Sequence, residues 1–239
     1  MKKIELLLIT VLLFTTLSCT AKSTNASFEN GKRLFDQEKY DEAIKELTEA
    51  ISIDPNMAEA YAYRSWAYGR KNNNIQAVVD ASKAIELNPK LGLGYFVRGR
   101  LQSDDNSAIK DYNEAIKLDP KLKYAYNNRG NAYESKEDYD RAIADYTSAI
   151  KIDPNYAMAY SNRSHAYLKK EDYDRAIADS TEAIKIDSKY DLAYFYRGNT
   201  YFYKEDYDKA IADYKTAISL NPKNPDYSYN LNIAETKKV

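Results

Sequence analysis

The chain has 239 residues and a net charge of −1, from 35 Lys and Arg against 36 Asp and Glu. This balance provides no basic excess for nucleic acid and no acidic excess for cations. A single cysteine, Cys19, and a single histidine, His165, exclude an intrachain disulfide and a Cys/His metal cluster.

The N-terminus has the pattern of an export signal. Lys2 and Lys3 precede an apolar stretch from Leu6 to Leu17, which is shorter than the roughly 20 residues that span a bilayer. A basic start followed by a short apolar run is typical of a signal peptide, here residues 1–18. An ordinary cleaved signal would explain these features without any further modification.

The end of the apolar run, Thr-Leu-Ser-Cys, resembles a bacterial lipobox, although Thr16 stands where that motif prefers leucine. The resemblance implies lipidation of Cys19, with residues 19–27 as a polar tether and several acyl chains holding the membrane firmly. By resemblance to enterobacterial sorting, Thr20 rather than Asp after the cysteine indicates the outer membrane. We therefore expect a lipid-anchored protein of the bacterial envelope that faces the periplasm.

A motif of 34 residues recurs along the rest of the chain. The stretch NNRGNAYESKEDYDRAIADYTSAIKIDPNY starts at Asn127, and SNRSHAYLKKEDYDRAIADSTEAIKIDSKY starts 34 residues later at Ser161. Small residues recur in the first half of each copy, at Gly31, Ser65, Gly99, Gly130, Ser164 and Gly198. Such residues let two antiparallel helices approach closely, and the Asp-Pro or Asn-Pro near the end of a copy stops the second helix.

This pattern resembles the tetratricopeptide repeat family. The resemblance implies an all-α, right-handed α-solenoid of six helix hairpins with a polar capping helix. The repeats would occupy residues 24–57, 58–91, 92–122, 123–156, 157–190 and 191–224, and the cap residues 225–239. Repeat 3 is three residues short, and we expect the loss in its turn, around Ser103–Ser107. The stack should be least regular between Arg70 and Asp105.

An arginine and an aspartate recur in fixed slots from repeat 2 onward. The arginines are Arg64, Arg98, Arg129, Arg163 and Arg197, and the aspartates are Asp80, Asp111, Asp145, Asp179 and Asp213. The family usually has leucine in the arginine slot, and an arginine in a packed seam needs a carboxylate partner. We predict structural ion pairs, formed within a repeat or with the repeat before. A solvated charged face is the alternative.

By resemblance to the family, the first helix of each repeat lines a concave groove. The predicted peptide-binding residues are Phe28, Phe35, Trp66, Phe96, Arg100, Asn127, Asn131, Ser161, His165, Phe195, Asn199 and Phe202. Rings would contact an extended peptide or a helix, and amides would bond the ligand backbone. For each ring, packing between repeats is the alternative interpretation.

One subfamily binds the C-terminal carboxylate of chaperones through a clamp of lysine, arginine and asparagine. The best window for that clamp holds Asn127, Asn131, Asn162, Leu192 and Tyr196, and it lacks every cation. A co-chaperone function is therefore not expected.

The favoured hypothesis is an adaptor that binds a peptide or helix of an envelope protein. A six-repeat lipoprotein of this length resembles the pilotins and, less closely, other lipoproteins that assemble envelope complexes. The alternative is an accessory or glycan- and peptidoglycan-binding module for a cell-wall enzyme, with sugar rings stacked on Trp66. His165 has no orienting acid beside it in the sequence, so we predict no enzyme, no cofactor, no metal and no nucleic-acid partner.

Overall fold

The computed structural model describes residues 25–238, and every regular element within that range is an α-helix. Cys19, the predicted signal and most of the tether lie outside the described residues. The chain forms two compact units, an N-terminal unit that ends at Pro120 and a C-terminal unit that begins at Lys121. None of the described helices is both long and apolar enough to cross a bilayer.

The N-terminal unit contains three helix hairpins. Its helices are α1 (25–36), α2 (Tyr40–Ile53), α3 (Ala58–Arg70), α4 (Asn74–Leu87), α5 (Gly92–Gly99) and α6 (Asp105–Leu118). Repeat 3 is shortened in its first helix, because α5 has 8 residues where α3 has 13. The turn that follows α5, residues 100–104, is longer than the three-residue turn after α3. The prediction that the turn itself was shortened is wrong.

The C-terminal unit contains three regular hairpins and a last single helix. Its helices are α7 (Lys123–Ser135), α8 (Tyr139–Ile152), α9 (Ala157–Lys169), α10 (Tyr173–Ile186), α11 (Asp191–Tyr203), α12 (Tyr207–Leu220) and α13 (Pro225–Lys238). The first helices α7, α9 and α11 have 13 residues each and their partners 14. Within this unit α7, α9, α11 and α13 lie side by side, each in contact with the next.

The ends of these helices follow from local side chains. Asp138, Asp172 and Asp206 cap α8, α10 and α12 by accepting a hydrogen bond from a backbone N–H of the first turn. Asp153 ends α8 with an extended backbone, which the following Pro154 requires. In the turn before α10, Glu171 adopts a left-handed conformation with φ of 60°.

Within several hairpins a small residue of the first helix faces a large residue of the second. A Cβ on Gly130 would lie 2.6 Å from Cε1 of Tyr146, and one on Gly198 would lie 2.9 Å from Cε1 of Tyr214. In repeat 5 the corresponding residues are both small, because Ser164 meets Ser180. The close crossing of the two helices therefore depends on the sizes of both facing side chains, and not on the small residue of the first helix alone.

Candidate functional site on the first helices of the C-terminal unit

The recurring arginine and aspartate meet inside each repeat. Arg163 Nε lies 2.7 Å from Asp179 Oδ2, and Arg163 Nη2 lies 2.8 Å from Asp179 Oδ1, so the contact is bidentate. The same contact joins Arg64 to Asp80, Arg98 to Asp111, Arg129 to Asp145 and Arg197 to Asp213. The sequence allowed the arginine to pair within its own repeat or with the repeat before. The structure shows the pairing within the repeat.

The ion pairs are part of the packing between helices. Each aspartate is buried and each arginine partly so. Burial opposes the charge of Arg163, but the hydrogen bond and the charge of Asp179 outweigh it, so the pKa of Arg163 is raised. These pairs join the two helices of a hairpin.

The predicted groove residues of the N-terminal unit are largely used in packing. Phe96 is 0% exposed and Phe35 is 9% exposed, so assigning these two to an open groove is wrong. Trp66 packs between them, with ring centroids 4.7 Å from Phe35 and 4.9 Å from Phe96. The Arg100 guanidinium lies 5.7 Å from the Trp66 ring, and Phe28 is half-buried at the edge. This packing argues against glycan stacking on Trp66.

Two further predicted groove residues lie below the surface of the C-terminal unit. Asn127 and Ser161 are both 0% exposed, so their assignment to the groove is also wrong. Asn127 Oδ1 accepts a hydrogen bond of 3.1 Å from Asn162 Nδ2, and this contact joins α7 to α9. Both slots lie between neighbouring first helices, where side chains meet each other and not a ligand.

The rings at the C-terminal end divide between packing and exposure. Phe195 is half-buried and packs against Tyr227 of α13, with ring centroids 4.8 Å apart. Phe202 is half-buried beside Tyr203, which is 62% exposed. Of these four rings, Tyr203 offers the largest exposed surface to a partner.

The three remaining predicted residues, Asn131, His165 and Asn199, line two neighbouring cavities on one face together with Phe202. Cavity A, of about 480 Å³, is bordered by Asn131, Glu134, Ser135, Glu137, Tyr139, Asn162, His165, Lys169 and Tyr196. Cavity B, of about 390 Å³, is bordered by His165, Leu168, Lys169, Glu171, Tyr173, Asn199, Phe202, Tyr203, Tyr214, Asn230 and Ile233. His165 and Lys169 border both. We call the surface of α7, α9, α11 and α13 that carries these cavities the first-helix face.

An amide pair lies in each cavity. In cavity A, Asn162 Nδ2 donates to Asn131 Oδ1 at 3.0 Å, and in cavity B, Asn230 Nδ2 donates to Asn199 Oδ1 at 2.9 Å. A tyrosine hydroxyl of the second helix supports each pair from below. Tyr146 Oη lies 2.8 Å from Asn131 Oδ1, and Tyr214 Oη lies 2.8 Å from Asn199 Oδ1.

A stacked pair of rings separates the two amide pairs. His165 stacks on Tyr196 with centroids 4.6 Å apart and an interplanar angle of 21°. His165 Nδ1 contacts Glu134, whose other oxygen lies 2.6 Å from the Tyr146 hydroxyl. Burial and the Glu134 charge raise the pKa of Tyr146, so this tyrosine keeps its proton, and its single O–H lies within hydrogen-bonding distance of both Glu134 and Asn131.

Several residues of this face were missed by sequence reasoning about the groove. Asn230 was assigned only to the cap, and Tyr196 was considered only for the carboxylate clamp, which it does not fit. A signal was present, because Asn162 follows Asn131 by 31 residues and Asn230 follows Asn199 by the same interval. Elsewhere, no three His, Cys, Asp or Glu side chains of residues 25–238 gather as a metal ion would require.

The chain matches three sequence profiles of tetratricopeptide repeats. One, described as tetratricopeptide repeat, matches residues 124–156 and 192–224; a second, described as TPR repeat, matches residues 31–72 and 100–136; a third tetratricopeptide profile matches residues 146–178. The chain therefore belongs to the tetratricopeptide repeat proteins, whose members serve as scaffolds for protein–protein interaction.

Known proteins resemble the chain in part of the sequence or in fold. It is 38% identical to Hsp70-Hsp90 organizing protein 1 of Glycine max over 81 residues, which is 34% of this chain and 14% of that relative. In fold it is similar to a chain of the APC/C hetero-tetramer Cut9–Hcn1, with TM-score 0.82 and 18% identity over 90% of this chain and 43% of that one. It is also similar to PilF of Pseudomonas aeruginosa, with TM-score 0.71 and 16% identity over 88% of this chain and 97% of that one. The prediction of an all-α repeat solenoid is confirmed.

Proposed function

We propose that this chain is an adaptor that binds a segment of another protein on the first-helix face of its C-terminal unit. The observation that carries the proposal is the pair of neighbouring cavities that share His165 and Lys169. Together they form a strip with rings, amides, one lysine and three glutamates, Glu134, Glu137 and Glu171, which suits a peptide segment. Lys169 and Tyr203 are both exposed to solvent.

The proposed setting is the bacterial envelope. The support is the sequence pattern that ends at Cys19, which favours export and a lipid anchor in the outer membrane. The adaptor would then face the periplasm and assemble or stabilise an envelope complex, in the manner of a pilotin. A lipid anchor concentrates the binding face near membrane-bound partners, which raises their effective concentration.

The proposed partner is not a chaperone tail, although the name of the Glycine max relative contains Hsp70 and Hsp90. The cations that would clamp a terminal carboxylate are missing, since Leu192 and Tyr196 stand in their slots. Tyr196 is moreover stacked on His165, and Asn127 is buried beneath Asn162.

The binding face can be tested with two exposed tyrosines. Tyr203 borders cavity B, whereas Tyr229 of α13, 67% exposed, borders neither cavity. Affinity capture from detergent-solubilised membranes of the native host, quantified by mass spectrometry, should return a defined partner with wild-type chain. Tyr203→Ala should lose most of that partner and Tyr229→Ala should keep it. Equal retention by both variants would show that the partner binds elsewhere.

The anchor has its own test. Cys19→Ala should move the protein from the membrane fraction to the released fraction, because the acyl chains would no longer be attached. Mass spectrometry of the wild-type N-terminal peptide should show the lipid mass on Cys19. A Cys19→Ala variant that stays in the membrane fraction would contradict the anchor and leave the binding face unaffected.

A further inference from the structure

We propose that α4 of the N-terminal unit lies against a phospholipid bilayer through three aliphatic side chains on its outer side. These are Ile75, Val78 and Val79, which are 84%, 45% and 57% exposed. We call these three residues the α4 patch. The inference rests on the proposed lipid anchor at Cys19 and goes beyond it, because it names a second contact with the membrane, made by the folded repeats themselves.

The repeat does not require apolar residues at these positions. The slot of Ile75 holds Asp140 in α8 and Asp174 in α10, and the slot of Val79 holds alanine in both helices. Asp140 and Asp174 each form an ion pair with a lysine of the following repeat. Ile75 therefore replaces an ion pair between repeats by apolar surface that the described part of the chain leaves open to solvent.

The α4 patch contains every exposed large apolar side chain in the described part of the N-terminal unit. The other exposed large apolar side chains, such as Tyr203 and Leu220, belong to the C-terminal unit. On α4 the exposed neighbours Asn74 and Ser82 are uncharged, and Asp80 is buried. This composition suits a bilayer, because aliphatic side chains gain free energy on leaving water, whereas a charged side chain loses it in hydrocarbon.

The proposed anchor brings α4 within reach of the membrane. Helix α1 begins at residue 25, six residues after Cys19, and six residues span at most about 20 Å. The rings of Phe28 in α1 and Tyr63 in α3 are in contact, and α3 packs against α4. Helix α4 is thus two helix spacings from α1, or roughly 16–20 Å. An anchored N-terminal unit can therefore place the α4 patch on the bilayer surface.

A second copy of the chain suits the patch less well. A stable interface between two proteins buries about 800 Å² on each side, and three aliphatic side chains supply only a part of that area. A bilayer requires no complementary protein surface. Once acyl chains hold the protein at the membrane, a small apolar contact is made at high effective concentration and adds to the binding.

The test uses the wild-type chain, purified in detergent from the native host and reconstituted into vesicles of phosphatidylethanolamine and phosphatidylglycerol. Part of the lipid carries a photoactivatable diazirine on an acyl chain. After irradiation and trypsin digestion, mass spectrometry locates the attached lipid. Trypsin cuts after Lys71 and Lys83, so the α4 patch lies in one peptide, residues 72–83. This peptide should carry more label than any other peptide from residues 25–238.

A double variant provides the matched comparison. Ile75→Asn with Val79→Ala gives α4 the residues that Asn106 of α6 and Ala144 of α8 represent at these positions, so the helix should stay folded. Labelling of peptide 72–83 should fall by about tenfold, because two of its three aliphatic side chains no longer enter the lipid. Tyr229→Asn changes an exposed ring of the C-terminal unit and should leave that labelling unchanged. Circular dichroism checks that both variants are folded.

The outcomes separate this inference from the lipid anchor. Equal labelling of peptide 72–83 in the wild type and the double variant, or no label on it, would overturn the inference. A lipid mass on Cys19 would then keep the anchor, and its absence would remove both proposals. Label on peptide 72–83 without a lipid mass on Cys19 would keep the membrane contact alone. If sedimentation of the Cys19→Ala chain shows a dimer that the double variant abolishes, a second copy covers the patch and the inference is wrong.

Discussion

The two units use the same repeat for different surfaces. Within the N-terminal unit, Trp66 packs with Phe35 and Phe96, so side chains of its first helices close against each other. In the C-terminal unit the slot of Trp66 holds Asn131, His165 and Asn199, and two of these belong to amide pairs with open hydrogen-bonding groups. At this slot the N-terminal unit has a ring that packs between two other rings, whereas the C-terminal unit has polar side chains that border the two cavities.

Repeat 3 differs from the other repeats in how well the recurring ion pair is protected, since the side chain of Arg64 in the neighbouring repeat 2 is only 12% exposed. The side chain of Arg98, in shortened repeat 3, is 37% exposed, whereas that of Arg163 is 15% exposed. The shorter α5 covers less of its own arginine. The same pair of residues should therefore matter less to stability in repeat 3 than in the other repeats that carry it.

The largest expected effect tests that difference. Asp179→Ala should lower the free energy of unfolding by about 3 kcal/mol, because it leaves the Arg163 charge without a partner in a partly buried site. Asp111→Ala should cost about 1 kcal/mol, since water reaches Arg98. Urea unfolding followed by circular dichroism at 222 nm measures both, and Trp66, the only tryptophan, reports the N-terminal unit by fluorescence.

Arg163→Leu combined with Asp179→Ala serves as the control. It removes the unpaired charge and should recover much of the lost stability. Equal losses for Asp179→Ala and Asp111→Ala would show that burial does not distinguish the two pairs.

A smaller effect is expected from the helix crossings. Gly130→Ala should lower the free energy of unfolding by about 2 kcal/mol, because the added Cβ meets the fixed ring of Tyr146. Gly69→Ala in the N-terminal unit should instead add about 0.5 kcal/mol, since its Cβ would be 3.8 Å from the nearest side-chain atom and alanine favours the helix. Thermal unfolding of both variants gives the comparison, and a loss at Gly69 would contradict it.

Helix capping should allow a gain in the N-terminal unit. Lys39 precedes α2 and makes no side-chain cap, whereas Asp172 caps α10. Lys39→Asp should raise the free energy of unfolding by about 1 kcal/mol, and Asp172→Ala should lower it by about the same amount. Unfolding midpoints in urea measure both. If Lys39→Asp leaves the midpoint unchanged, the local backbone there does not accept a cap.

The smallest effect concerns the turn before the second helix. Glu171 has φ of 60°, a conformation that asparagine adopts more easily, and Asn72 occupies the matching turn in repeat 2. Glu171→Asn should raise the free energy of unfolding by about 0.5 kcal/mol, and Asn72→Glu should lower it by about 0.5 kcal/mol. Differential scanning calorimetry can resolve these changes, and opposite signs would refute a strain at this position.

Sequence reasoning predicted the repeats well because their signals are local. The small residues, the Asp-Pro ends and the Asp caps each act over one or two turns of chain. The pairing of Arg with Asp was visible as a recurrence, but the choice of partner was not. The shortening of α5 was assigned to the wrong segment because a missing residue in an alignment does not show which helix ends early.

The groove residues were harder to predict. Helical spacing placed Phe96 and Asn131 alike on first helices, but one is 0% exposed and the other is exposed. The difference depends on what the next repeat places opposite each side chain. That neighbour comes from about 30 residues further along the chain, so no local pattern reports it.

The sequence alone thus determined the number of hairpins and the slots that recur within them, since each helix and turn is set by its own residues. Tertiary structure decided which of those slots remain open. Trp66 and Asn131 share a slot, but rings from neighbouring repeats pack against Trp66, whereas Asn131 meets another amide, Asn162, and a tyrosine hydroxyl. The physical reason is that a ring excludes water by packing, while two amides can satisfy each other and still present a donor and an acceptor.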